Sequence, residues 1–236
     1  MKNTPKPILL LTCEHAVNTI PEPYSIYFKN HQALLDSHRG IDYGALDIAT
    51  FLAHALPSKI FTASTSRLLI DFNRSLGHTS CFSEATRPLS EQQQQAIIET
   101  YYLPYRRRIE SFITEQVKQG HRILHLSIHS FTPVMAGITR NADLGLLYDP
   151  RHKPEKDFAD QWQKLLKQTT HGSLKIRKNY PYQGKSDGFA TALRRQFDPS
   201  IYIGIEVETN QSLIDNNRAP HHYKSILATS LQQILA

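Results

Sequence analysis

Three apolar runs in this chain break into residues that do chemistry. Ile8-Leu9-Leu10-Leu11 leads through Thr12-Cys13 to Glu14-His15, the run from Ile123 to Ile128 leads to His129, and Ile201-Tyr202-Ile203-Gly204-Ile205 leads to Glu206 and Glu208. Runs of this kind read as buried strands, and open α/β sheets carry their ligand sites at the carboxyl ends of strands. Two imidazoles and a carboxylate are a common donor set of catalytic zinc centres, which keep a fourth position for water. His15 and His129 are therefore the metal candidates, with one Zn2+ expected. Glu14 is the nearest carboxylate for the third position, although neighbours on an extended chain point to opposite faces, so it and His15 meet one ion only if the strand has turned. Asp42 is the rival ligand, and otherwise a substrate contact or the cap of a following helix. Glu14 ranks slightly ahead of Asp42. Glu206, at the end of a strongly apolar run, is the candidate general base, because burial raises a carboxylate toward the pKa that proton transfer at neutral pH needs.

The elements that must position these groups alternate along the chain. Residues 42–56 place apolar side chains at 45, 48, 49, 52 and 56 and stop at Pro57, which predicts an amphipathic helix; a strand follows at 59–64. Residues 75–89 lack any period and carry Gly77 and Pro88, so they read as a long loop of the kind that lines binding sites. Residues 90–118 are the longest helical candidate, with Pro104 expected to kink or split it. Further helices are expected over 156–168, 188–197 and 223–236, with strand-like residues at 144–148 and 175–177. Strands alternating with helices predict an α/β fold with a mixed, mostly parallel sheet and helices on both faces, in one domain over residues 1–236.

Composition agrees. A chain of 236 residues with 40% apolar and 9% aromatic content can bury one sizeable core. The net charge of +6 is scattered, Arg106-Arg107-Arg108 being the one tight cluster, which favours anionic small molecules over nucleic acid. Two cysteines, Cys13 and Cys81, are too few for a disulfide framework and imply a reducing compartment. Too few apolar residues follow the basic start for a signal or a membrane span, so a cytoplasmic protein without membrane contact is expected.

Several short strings carry a resemblance. Glu14-His15-Ala16-x-Asn18-x-Ile20-Pro21, Asp42-x-Gly44-Ala45, Ser66-Arg67-x-x-x-Asp71-x-Asn73-Arg74, Ser127-Ile128-His129-Ser130-Phe131-x-Pro133, Asn179-x-Pro181-Tyr182-x-Gly184 and Ile205-Glu206 occur in the order seen in the N-formylglutamate amidohydrolase family, over roughly residues 8–210. That family is similar in fold and site to the zinc carboxypeptidases and aspartoacylases. The resemblance implies a zinc-dependent hydrolase that cleaves the amide of an N-acyl amino acid such as N-formylglutamate. It implies Arg67 as the group that stabilises the oxyanion, Asn73 and Arg74 as the holders of a substrate carboxylate, Asp71 as the orienter of Arg67 or Arg74, and Tyr182 as a hydrogen-bond donor from the pocket wall. Two positions depart from the pattern. Asn18 stands where the carboxypeptidases carry a ligating Glu, and Glu208 stands where an Arg is expected. The first leaves a non-catalytic ligand-binding relative as the competing reading, with an amidase on a larger, cell-wall-like amide as a third; the second disfavours an acidic substrate and favours a basic or neutral one.

Overall fold

A computed structural model describes residues 6–236; residues 1–5, on which part of the signal-peptide reading rests, lie outside the described residues. Among the described residues eight strands form: β1 (Ile8–Cys13), β2 (Ser58–Thr62), β3 (Ile123–Phe131), β4 (Val134–Met135), β5 (Ile138–Thr139), β6 (Leu144–Leu147), β7 (Ile176–Lys178) and β8 (Tyr202–Asn210). The helices are α1 (Gln32–Leu35), α2 (Ala45–Ala55), α3 (Glu91–Ile97), α4 (Leu103–Lys118), α5 (Lys153–Thr169), α6 (Phe189–Arg194) and α7 (His221–Leu235). Six strands make one sheet in the order β2-β1-β3-β8-β6-β7, parallel throughout except where β6 runs against β8. This is the mixed, mostly parallel α/β sheet that the alternating pattern predicts. Among the described residues no helix is long and apolar enough to cross a membrane.

Period-two alternation divides the central strands between two faces. Leu9, Leu11 and Cys13 of β1, Leu124, Leu126 and Ile128 of β3, and Ile205 and Val207 of β8 enter one core with α2, α5 and α7. Of the five positions singled out by spacing, 45, 48, 49 and 52 lie in α2 and 56 directly follows it, and all are buried there. The opposite face starts apolar, with Leu10, Ile123 and Tyr202 packed on α3, α4, α6 and the 68–72 segment. Toward the carboxyl ends of the strands it turns polar. Thr12, Ser127 and Glu206 lie abreast in the register, with His129 and Glu208 one step beyond.

The long helical candidate does break near Pro104, and the break has a defined form. Ser90 and Gln93 cap α3 reciprocally, and residues Ile98–Tyr102 wind as a π-helical turn before α4 begins with Pro104 in its first turn. The wider turn accommodates a residue without an N–H. It also rephases the helix, so that Ile97 and Tyr102, five apart, both face the same core. Tyr102, Tyr105 and Arg106 are thereby aimed under the site, and Arg106 is buried against Tyr102 and Phe189 instead of contributing to a surface patch.

His125 closes the floor of the polar column, with Nε2 2.8 Å from Thr12 Oγ1 and Nδ1 2.6 Å from the Tyr202 hydroxyl. Burial lowers its pKa from 6.5 to about 4. The folded form therefore binds a proton less readily than the unfolded chain, and this group's contribution to stability is present at neutral pH and lost as pH falls from 6.5 to about 4. The loss is on the order of 3 kcal/mol across that window. His125→Gln, which cannot titrate, is expected to flatten the dependence of urea-unfolding free energy on pH between 7 and about 4 relative to wild type; parallel profiles for the two proteins would refute the assignment.

Candidate active site

β1 ends at Cys13 and the chain turns at once through Glu14 and His15, sending the two side chains apart. His15 Nδ1 lies 3.1 Å from Asp42 Oδ2, and His129 Nδ1 lies 2.8 Å from the same oxygen. Asp42 is brought there from the turn before α2 by its own backbone N–H, which donates to the His15 carbonyl at 3.1 Å. The helix cap does not use its carboxylate: Gly44, at φ 78°, holds the N-cap position, and its N–H donates to Asn217 Oδ1. Three buried donor atoms thus converge from β1, the turn and β3. The far nitrogen of each ring is also held, His15 Nε2 by Asp71 Oδ1 at 2.8 Å, and His129 Nε2 by Ser127 Oγ at 2.9 Å and Glu14 Oε2 at 3.3 Å.

His15, Asp42 and His129 could hold a metal ion. Outer carboxylates on Nε2 fix the ring tautomer and leave the Nδ1 lone pairs to converge on Asp42 Oδ2. Tetrahedral bonds of about 2.0 Å space their donors about 3.3 Å apart, close to the 3.1 Å and 2.8 Å found. Positive charge is required in the middle. Burial by itself raises Asp42, yet the charge of His15 and hydrogen bonds from His129 and His15 hold it well below the usual carboxylate range. Burial likewise lowers His129, but hydrogen bonds to Asp42 and Glu14 push it well above its ordinary value. Protons or a divalent cation can supply that charge.

Glu14, the carboxylate placed first by sequence, lies outside the three-atom group. Its Oε1 accepts from the Tyr105 hydroxyl at 3.1 Å and its Oε2 from Ser127 Oγ at 2.7 Å, behind His129. Burial raises Glu14, and the hydrogen bond and charge of His129 outweigh this to leave it at about 2, so it is an anion that orients a ring. Asn18 donates to Asp36 Oδ1 at 2.9 Å, away from the cluster. The residue that departed from the carboxypeptidase pattern is thus not where a ligand would be.

Beside the cluster opens a cavity of about 570 Å3. Arg67 reaches across it with one guanidinium nitrogen 2.7 Å from Asp71 Oδ2 and another 3.5 Å from Asp42 Oδ1. Asn73 is held through its Oδ1, which accepts from the Phe189 N–H at 2.6 Å, and its Nδ2 lies 3.4 Å from His129 Nε2. Arg74 donates to the Asp187 carbonyl, while its own carbonyl accepts from Tyr102 at 2.6 Å and from Arg106 at 3.0 Å. The opposite wall is the 179–188 loop. Gly184 lets it lie flat on the end of β6, since a Cβ there would come within 2.2 Å of the Tyr148 nitrogen. Arg194, paired with buried Glu155 at 2.7 Å, holds the Gly184 carbonyl. Tyr182 stands at the rim, its hydroxyl accepting from Arg140 at 3.1 Å. On β8, Glu206 and Glu208 face the same cavity, and burial raises both.

A sequence profile of the N-formylglutamate amidohydrolase family matches residues 8–215. The chain belongs to this family. Its structure is similar to the gene product Atu2144 from Agrobacterium tumefaciens, with 28% identity, a TM-score of 0.78, and coverage of 98% of this chain and 90% of that one. It is also similar to the N-formylglutamate amidohydrolase from Ralstonia eutropha JMP134, with 15% identity, a TM-score of 0.73, and coverage of 99% and 94%. No protein of curated function matches the chain in sequence.

In this N-formylglutamate amidohydrolase family member, the residues named from sequence assemble largely as one site. His15, His129, Asp42, Arg67, Asn73, Arg74, Tyr182 and Glu206 border one cavity, and Glu14 does not. Spacing missed the supports: Ser127 and Tyr105, which hold Glu14, and the bond from Asp71 to His15. Ser127 was readable, since period two puts it on the His129 face of β3. Tyr105 was not, because its direction depends on the π turn.

Proposed function

We propose that this protein hydrolyses the amide of a small N-acyl amino acid, the N-formyl derivatives foremost, with a zinc ion held by His15, Asp42 and His129. Asp42 takes the ligand position for which the sequence favoured Glu14, and Glu14 and Asp71 orient the two rings. The observation that carries the reading is the convergence of two Nδ1 atoms and one carboxylate oxygen with each ring's Nε2 already held by an acid. An ion bound there supplies Lewis acidity toward a carbonyl oxygen and toward water.

The chain's own residues divide the remaining work. Asn73 and Arg74 hold the substrate carboxylate, an Arg fork being suited to two oxygens. The Arg67 guanidinium, kept in place by Asp71 and Asp42, faces the carbonyl oxygen as negative charge grows on it. Glu206 takes a proton from water as its oxygen adds to the acyl carbon, then delivers it to the amide nitrogen as the C–N bond breaks. The products are the carboxylate of the acyl group and the free amino acid.

Purified protein is expected to carry one equivalent of zinc and to release amine from N-formyl amino acids. His15→Ala and His129→Ala are expected to lose the metal together with at least about a hundredfold in activity, whereas Arg67→Ala keeps the metal and loses about a hundredfold in kcat. Full zinc stoichiometry in either histidine variant would overturn the metal assignment.

A further inference from the structure

β8 brings two carboxylates to the cavity where the proposed chemistry employs one. Glu206 and Glu208 share a face, opposite Ser127 and His129 in the β3 register. Glu208 is 5% exposed, lines the cavity, and its Oε2 is buried with no hydrogen-bond partner. Leaving a buried carboxyl oxygen unmatched costs stability, and at a cavity wall such an atom is a vacancy for a donor carried by a ligand.

Glu206 apart, the neighbouring charges of the cavity wall are already matched. Arg39 forks onto Glu84 with two contacts of 2.7 Å, and Arg67 is committed to Asp71 and Asp42. Arg87 donates to the carbonyls of Thr79 and Phe82, and Asp187 accepts from the Ser75 N–H at 3.0 Å. Buried polar atoms without a partner remain on two of the lining residues, Arg74 Nε and Glu208 Oε2. A molecule that completes both has an anionic group at one end and a donor at the other.

We infer that Glu208 is the specificity-determining residue of this site and takes the cationic side chain of a basic amino acid, so that the substrate is an N-acyl derivative of lysine or arginine type and not of an acidic residue. This rests on the proposed amide hydrolysis and names its substrate class. The donor of an ammonium or guanidinium satisfies Oε2 and removes the cost of the charge next to Glu206. A side-chain carboxylate placed there would be a third acid beside Glu206 and Glu208 and would meet no cation, and a site that rejects by leaving polar groups unpaired discriminates strongly.

The test compares kcat/KM for Nα-formyl-lysine, -arginine, -glutamine and -glutamate on zinc-loaded protein, alongside calorimetric binding of free lysine and free glutamate. Wild type is expected to prefer the lysine and arginine derivatives over the glutamate derivative by about a hundredfold or more, and to bind lysine the more tightly. Glu208→Gln, which keeps shape, should cut that ratio by at least about tenfold, and Glu208→Arg should reverse it. Preference of wild type for the glutamate derivative, retained in Glu208→Gln, would mean that the carboxyl serves as a neutral donor and would overturn the inference. An unchanged ratio in both variants would also overturn it. If no amide in the panel is cleaved, the hydrolysis reading fails by itself, and the lysine-against-glutamate binding ratio in wild type and Glu208→Gln still decides the role of Glu208.

Discussion

Glu206→Gln is expected to lower kcat by roughly a thousandfold while the protein still binds zinc and substrate. The substitution keeps volume and polar outline and removes only the capacity to take a proton. Burial raises the pKa of Glu206, with the charges of His129 and Arg194 opposing it. A base must be unprotonated to act, so wild-type kcat/KM should fall as pH drops through that raised pKa. The limb belongs to the acidic side, and it should be missing from any residual activity of the Gln variant. Zinc content and substrate affinity measured on the same preparation separate a lost proton acceptor from a lost site. Near-normal turnover would pass the role to another carboxylate of the cavity, with Glu208 first in line.

The second large effect separates Asp42 from Glu14. Asp42→Ala is expected to abolish stoichiometric zinc and activity, because it removes the oxygen on which both Nδ1 atoms converge. Glu14→Gln removes a charge behind His129, and groups in that position typically tune metal affinity about 10- to 100-fold. Competition titration against a chelator reads the two cases directly. Loss of metal in Glu14→Gln together with retention in Asp42→Ala would restore Glu14 as the ligand and leave Asp42 as a substrate contact.

How far the sequence carries follows from which forces are local. The strands and α2 were legible because hydrophobic period alone decides which side chains leave water, and period two then placed His129 and Glu206 on one face. Asp42 was harder to rank. Its backbone N–H reaches the His15 carbonyl and its side chain reaches the His15 ring across 27 positions, which no spacing announces. Glu14 and His15 show the opposite case: neighbours in sequence are separated by the turn that begins as soon as β1 ends. The β4–β5 hairpin went unread because its turn sets Ala136 at φ 50° ahead of Gly137 at φ 77°. Such turns are normally marked by Asn or Asp before the glycine, and alanine carries no such mark.

The order in which the chain supplies its site has a consequence for synthesis on the ribosome. β1 is flanked by β2 on one edge and β3 on the other. The β2 edge can pair after some fifty further residues, but the Ile8–Cys13 segment must wait for Phe131 before β3 is complete, and the cavity lacks its last wall until Glu208 has emerged. At about 5–20 residues per second, the time between the appearance of Glu14 and of Glu208 is about 10–40 s. Until β3 has emerged, the apolar β1 is present with at least one edge unpaired, a template for association with other chains. Occupancy of the cavity by a ligand can select only the completed fold, so until then the growing polypeptide depends on dilution and on chaperones to keep it from its neighbours.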